Sequence, residues 1–175
     1  MSKNGIVRRI DELGRLVIPK ELRKSLRIKE GDSVEIFAEN DKIIVKRFSS
    51  VEKLKDFADL LVSSINKDIR KNLFITDTSK VISASGKCRK NFINNEISDY
   101  LIECIMRRES ILEKYKKEII FINDKINCSY IIDTIISNGD VVGCIVMFDE
   151  DESINEFDYK IIRIMTSYLS KAIEN

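Results

Sequence analysis

The chain has 175 residues, with 30 lysines and arginines against 29 acids, four cysteines and no histidine. That length suits two small domains, and a net charge of +1 leaves no polyanion-binding surface unless the basic residues are concentrated somewhere. Cys88, Cys104, Cys128 and Cys144 lie 16, 24 and 16 positions apart with no C-x-x-C pair, so neither a metal site nor a cofactor is expected, and buried thiols in a reducing cytoplasm are.

The basic residues are concentrated at the start. Residues 1–29 hold nine of them (Lys3, Arg8, Arg9, Arg15, Lys20, Arg23, Lys24, Arg27, Lys29) against Asp11, Glu12 and Glu21, a local charge of +6 that leaves −5 for the rest. Such a head is where a polyanion would bind. Ile6, Val7 and Ile10 interleave with Arg8 and Arg9, a pattern for a short strand with one apolar and one basic face. Asp11–Gly14 is a turn in which Gly14 is free to take a positive φ. Leu16–Ile18 reads as a second strand, stopped by Pro19, which suits the first turn of a helix. The helix runs Lys20–Leu26, with Leu22 and Leu26 on its inner face. A turn at Gly31–Asp32 leads into a hairpin of Val34–Phe37 and Ile43–Val45 around Asn40–Asp41.

This ββαββ unit is too small to build a stable core alone, and it has no cysteine to staple it. The remaining solution is two copies sharing one core, which also sets two basic faces side by side for a duplex.

The pattern G-I-V-R-R-I-D-E-L-G-R-L-V-I-P-K-E-L-R over residues 5–23 resembles the AbrB-type swapped-hairpin DNA-binding domain. The layout as a whole is similar to a family of sporulation transcription regulators from spore-forming bacteria. The resemblance implies an interleaved swapped-hairpin β-barrel dimer over residues 1–48. It implies DNA contacts from Arg8, Arg15, Arg23 and Lys24, with Arg9 and Lys20 as neighbours. Lys24 stands where the family commonly has arginine, which exchanges a forked donor for a point charge suited to phosphate. Double-stranded promoter DNA, AT-rich, is the implied partner. A tetramer acting on genes of the forespore, at the nucleoid in the cytoplasm, is the implied setting. Antitoxins of the same superfamily also bind DNA, but their tails are short and disordered in composition, unlike residues 49–175.

Beyond a brief linker at Phe48–Ser50, Val51, Leu54, Ala58, Leu61 and Ile65 recur at heptad spacing, a seam for a helix–helix contact between subunits; packing of that helix on its own domain is the alternative. Leu73–Asp77 and Val81–Ser85 pair as strands, Ile97–Arg107 is a helix with Tyr100, Leu101, Cys104 and Ile105 on one side, and Ile119–Ile122, Ser129–Ile136 and Val141–Phe148 are strands. Asn138–Gly139 is a strong hairpin signal. Phe157, Ile161, Ile164, Met165, Tyr168, Leu169 and Ala172 mark one face of a closing helix. The longest apolar run, Val141–Phe148, is far too short for a membrane span, and no apolar stretch behind the basic N-terminus predicts a secretion signal.

The fold class expected is therefore α+β, with residues 49–175 forming an α/β sandwich. Its order of elements resembles a GAF domain, a module that senses small molecules and sustains oligomers. The ligand is unknown; Lys87, Arg89 and Lys90 beside Ser85–Gly86 are candidates for holding an anion, against the plainer reading of a solvated basic turn. No catalytic motif stands out, so no enzyme is expected. Some GAF-like proteins are thiol reductases, and Cys88, between Lys87 and Arg89, is the thiol with electropositive neighbours. A rival reading is a ligand-binding or redox module whose basic head meets a different anionic partner.

Overall fold

The computed structural model describes residues 5–28 and 30–174, so that Lys3 and Lys29 of the basic head lie outside the described residues. The chain divides into two compact units, Met1–Phe48 and Ser49–Asn175.

In the first unit, residues 5–19 form no strand, contrary to the two expected. The reason is pairing. A strand needs a neighbouring strand for its N–H and C=O groups, and among the described residues this segment instead closes a local turn, Asp11 N–H to the Arg15 carbonyl at 3.1 Å and Gly14 N–H to the Asp11 carbonyl at 2.9 Å. Helix α1 spans Lys20–Ser25, with Pro19 at the cap rather than within the first turn. It closes by a Schellman arrangement: Ile28 N–H donates to the Arg23 carbonyl (2.8 Å) and Arg27 N–H to that of Lys24 (3.1 Å). Arg27, at φ 52°, takes the left-handed position where glycine is usual. Strands β1 (Val34–Glu39) and β2 (Lys42–Arg47) form the expected hairpin, in register from Val34↔Arg47 to Glu39↔Lys42.

This unit has almost no interior of its own. Among its described residues only Pro19 and Ile28 are buried. Val7 (88 %), Leu13 (76 %), Val17 (74 %), Ile36 (68 %) and Ile43 (69 %) lie largely in solvent. Leu22 and Leu26, expected on an inner face of the helix, are about as exposed as they are covered.

The second unit is built on a five-stranded antiparallel sheet ordered β4-β3-β7-β6-β5. The strands are β3 (Asn72–Asp77), β4 (Val81–Ser85), β5 (Ser110–Ile120), β6 (Lys125–Ser137) and β7 (Asp140–Asp149). Alternation along each strand sends Phe74, Cys128, Tyr130, Ile132, Val146 and Phe148 to one face, with α4 (Arg89–Phe92) and α5 (Asp99–Met106). Phe74 lies at the centre of that layer, its ring edge-on to Phe92 (5.2 Å between centroids) and Phe121 (5.7 Å). Leu73, Ile75, Ile131, Ile135, Ile145 and Met147 face the other way, toward α2 (Ser50–Lys53), α3 (Lys55–Ile69) and α6 (Glu156–Glu174). The sheet is thus covered on both faces, which explains the unbroken buried runs in β6 and β7. Gly143 on β7 leaves no room for a side chain against β3: a Cβ there would lie 1.9 Å from the Thr76 carbonyl oxygen.

Two expectations in this unit are corrected, and a third holds in one of its two readings for part of its residues. Strand β5 begins nine residues earlier than Ile119. Its middle is a charged edge with a register shift between Glu113 and Lys117, so polar composition concealed it. Of the heptad seam, Val51 and Ala58 are fully buried against their own sheet, as the alternative reading expected, while Leu54, Leu61 and Ile65 are only partly covered. The closing helix is rotated from its expected face: Asp158, Ile162, Met165, Thr166 and Leu169 are buried, while Phe157 (69 %), Ile164 (69 %) and Tyr168 (56 %) are exposed.

An ion pair accommodates the polar residue on that face. Asp158 is buried beside Lys71, the residue before β3, which meets it at 2.7 Å, with the two side chains 7 % and 4 % exposed. The same carboxylate accepts the Asn155 N–H at 3.0 Å, and Asn155 Oδ1 accepts the Phe157 and Asp158 N–H groups at 2.8 and 3.2 Å. That is a capping box that fixes the start of α6.

Candidate nucleic-acid interface

Arg8 and Arg9 lie on the extended arm before the turn, Arg15 on the turn itself, and Lys20, Arg23 and Lys24 on α1; all six are exposed. Spacings of three and four residues put Lys20, Arg23 and Lys24 on one side of that helix. Arg15 is different from the rest. Its guanidinium meets Asp11 at 2.7 Å while 72 % exposed. Asp11 also accepts the backbone N–H of Arg15 at 2.7 Å and of Leu13 at 3.0 Å. The Arg15 backbone N–H first, and its side chain second, hold the Asp11 carboxyl below the usual carboxylate range. Gly14 stands at φ 75°, the positive value the turn requires. Sequence reasoning treated Asp11 only as a turn residue; the signal available was an aspartate opening a four-residue turn onto an arginine.

An exposed cluster of this kind is chemically a polyanion reader. Arginine forks grip phosphate oxygens or base edges, the lysines add point charge, and neutralised phosphates release counterions.

In the second unit, the candidates Lys87, Arg89 and Lys90 are not brought together around a ligand. Lys87 lines a cavity of about 260 Å³ with Asn72, Asn91, Phe92, Asn123 and Glu150, whereas Arg89 and Lys90 are absent from its wall. Lys87 also faces Asp151 at 3.6 Å, both side chains largely in solvent. The wall is mixed in charge rather than an anion cradle, since Asp124 and Glu150 lie on it with Lys87.

The thiols lie in settings that hold them protonated near neutral pH. All four cysteines are free and buried. Burial pushes Cys88, Cys128 and Cys144 up to about 12 and Cys104 to about 11. Cys88, the candidate with basic neighbours, turns inward and donates to the Ser85 carbonyl at 3.0 Å. Local sequence charge did not reveal that its side chain joins the apolar layer. Among the described residues no group of side chains is arranged to hold a metal ion, and no helix is long and apolar enough to cross a membrane.

A family model described as stage V sporulation protein T C-terminal, transcription factor, matches residues 53–174. A second, described as antidote-toxin recognition MazE, bacterial antitoxin, matches residues 7–53. Stage V sporulation protein T of Bacillus subtilis is 37 % identical over 99 % of both chains. The transition state regulatory protein AbrB of the same organism is 54 % identical over 48 residues, 27 % of this chain and 50 % of its own. The GAF domain of an Acinetobacter phosphoenolpyruvate-protein phosphotransferase superposes with a TM-score of 0.54 at 15 % identity, covering 69 % of this chain and 81 % of its own. That likeness concerns the fold of the second unit alone.

Proposed function

We propose a function from one premise: the chain belongs to the stage V sporulation protein T family of transcription factors. It is a sequence-specific, DNA-binding transcription regulator of sporulation genes, acting in the forespore cytoplasm on AT-rich promoter duplexes. The observation that carries this reading is the first unit itself, where Arg8, Arg9, Arg15, Lys20, Arg23 and Lys24 are all exposed on one short unit. The antitoxin reading fits less well, because similarity to the sporulation protein extends over 99 % of both chains.

Two copies interleave their heads. Support comes from the exposed Val7, Leu13, Val17, Ile36 and Ile43, which a second head would cover, and from residues 5–19, whose backbone lacks strand partners among the described residues. The second unit links dimers into a tetramer through the outward apolar row of α6 (Phe157, Ile164, Tyr168), beside Phe57 of α3, whose ring lies 5.4 Å from that of Tyr168. The cavity lined by Lys87 receives a small polar ligand that modulates the regulator. It acts as a regulator rather than as a thiol enzyme, a reading supported by four buried thiols whose pKa values burial raises.

The test is fluorescence anisotropy of a labelled AT-rich promoter duplex against full-length protein, Arg15→Ala and Arg23→Ala across a salt series. Tight binding with a steep negative salt slope, lost in both variants while the circular dichroism stays unchanged, is expected. Unchanged affinity in either variant defeats the assignment of the DNA face.

A further inference from the structure

The turn that carries Arg15 holds an acid in a place where an acid should weaken binding. Asp11 and its neighbour Glu12 repel any polyanion that approaches the loop. Yet every oxygen of the Asp11 carboxylate is engaged: Oδ1 accepts the Leu13 and Arg15 backbone N–H groups at 3.0 and 2.7 Å, and Oδ2 accepts Arg15 Nε at 2.7 Å. The main chain adds the two bonds that close the turn. One side chain thus fixes both the backbone that displays Arg15 and the near edge of its guanidinium.

Resting on the reading that Arg15 meets DNA, we propose that Asp11 is a positioning residue which presets Arg15 for recognition. With Nε held by the carboxylate, the guanidinium directs its terminal pair, Nη1 and Nη2, outward. That pair matches two adjacent acceptors, either O6 and N7 of a guanine or two oxygens of a phosphate. An arginine on a free four-bond stem loses rotamer entropy on binding; one already clamped loses less. The negative charge of Asp11 is masked by Arg15, so the pair meets DNA as an oriented dipole rather than as an acid beside a base.

The substitution that isolates this role is Asp11→Asn. The asparagine carbonyl still accepts the two backbone N–H groups, so the turn persists, but its NH₂ cannot accept from Arg15 Nε. Charge alone predicts tighter binding for this variant, because each chain becomes one unit more positive. The clamp predicts the reverse: about tenfold weaker binding to the promoter duplex, equivalent to about 1.4 kcal/mol.

Anisotropy of the full-length protein with promoter and scrambled duplexes tests this, at a salt concentration low enough for Arg15→Ala to retain measurable binding. Asp11→Asn should lose affinity for the promoter duplex in the wild-type background and lose nothing further in the Arg15→Ala background. Loss confined to the promoter duplex assigns the Nη pair to a base edge; equal loss on both duplexes assigns it to phosphate. Asp11→Asn binding as tightly as wild type, or weakening binding equally with and without Arg15, overturns the proposal while leaving the DNA face intact. Arg15→Ala binding like wild type overturns both.

Discussion

Removing either member of the Lys71–Asp158 pair will destabilise the second unit far more than removing both. Lys71 Nζ and Asp158 Oδ2 are 2.7 Å apart with side chains 7 % and 4 % exposed, so water screens their attraction little. Lys71→Met leaves a buried carboxylate with the Asn155 N–H at 3.0 Å as its remaining partner. Asp158→Leu leaves a buried ammonium with the Ser153 carbonyl at 3.4 Å, a poor substitute. Uncompensated buried charge of this kind costs about 3–5 kcal/mol, whereas replacing a whole buried pair by apolar groups is often close to neutral. Asp158 also belongs to the capping box of α6, and losing that contact costs about 1 kcal/mol. Each single variant should therefore lose about 3–5 kcal/mol, and Lys71→Met/Asp158→Leu only about 1 kcal/mol. Urea denaturation followed by circular dichroism, at one fixed protomer concentration, measures all four corners of the cycle. Additive losses, with the double variant the worst of the three, would refute the reasoning by showing that the two charges are stabilised independently.

Thiol labelling with a maleimide near neutral pH should find no reactive cysteine in the native protein and all four in denaturant; rapid labelling of Cys88 would restore the redox reading. The same thiols give a pH dependence. Their folded values, raised by burial from 9.0 to between about 11 and about 12, mean that above pH 9 the unfolded chain releases protons the folded one retains. Their contribution is therefore complete below 9 and declines as pH rises toward 12, and a urea midpoint that stays level over that window contradicts it. Ile164→Asp with Tyr168→Asp, on side chains 69 % and 56 % exposed, should shift sedimentation toward smaller assemblies without lowering the stability of the single unit. An unchanged sedimentation profile places the contact between second units elsewhere.

What sequence reasoning could see was local. The hairpin around Asn40–Asp41, the Asn138–Gly139 turn between β6 and β7, and Leu101, Cys104 and Ile105 on the inner side of α5 were all legible, because neighbours in sequence settle them. Where it failed, the deciding partner was distant. The apolar residues of α6 argue for burying Phe157, Ile164 and Tyr168, but the face turned inward carries Asp158, whose charge is met by a lysine 87 positions away. The alternating residues 6–10 are a strand pattern with no strand paired to them among the described residues. At the candidate site, the basic residues announced themselves by charge, whereas Asp11 was hidden because its work is a set of hydrogen bonds inside one turn.

A head that buries only Pro19 and Ile28 among its described residues has a consequence for gene control. If completing that head takes a second copy, the amount of competent reader rises with the square of protein abundance while the chain is scarce, and only linearly once it is plentiful. A promoter under its command would then respond to a dosage threshold, ignoring leaky expression and committing once synthesis is under way. A tail that kept heads near one another would lower that threshold, so that residues outside the head would help decide how many molecules a cell must make before the switch is thrown.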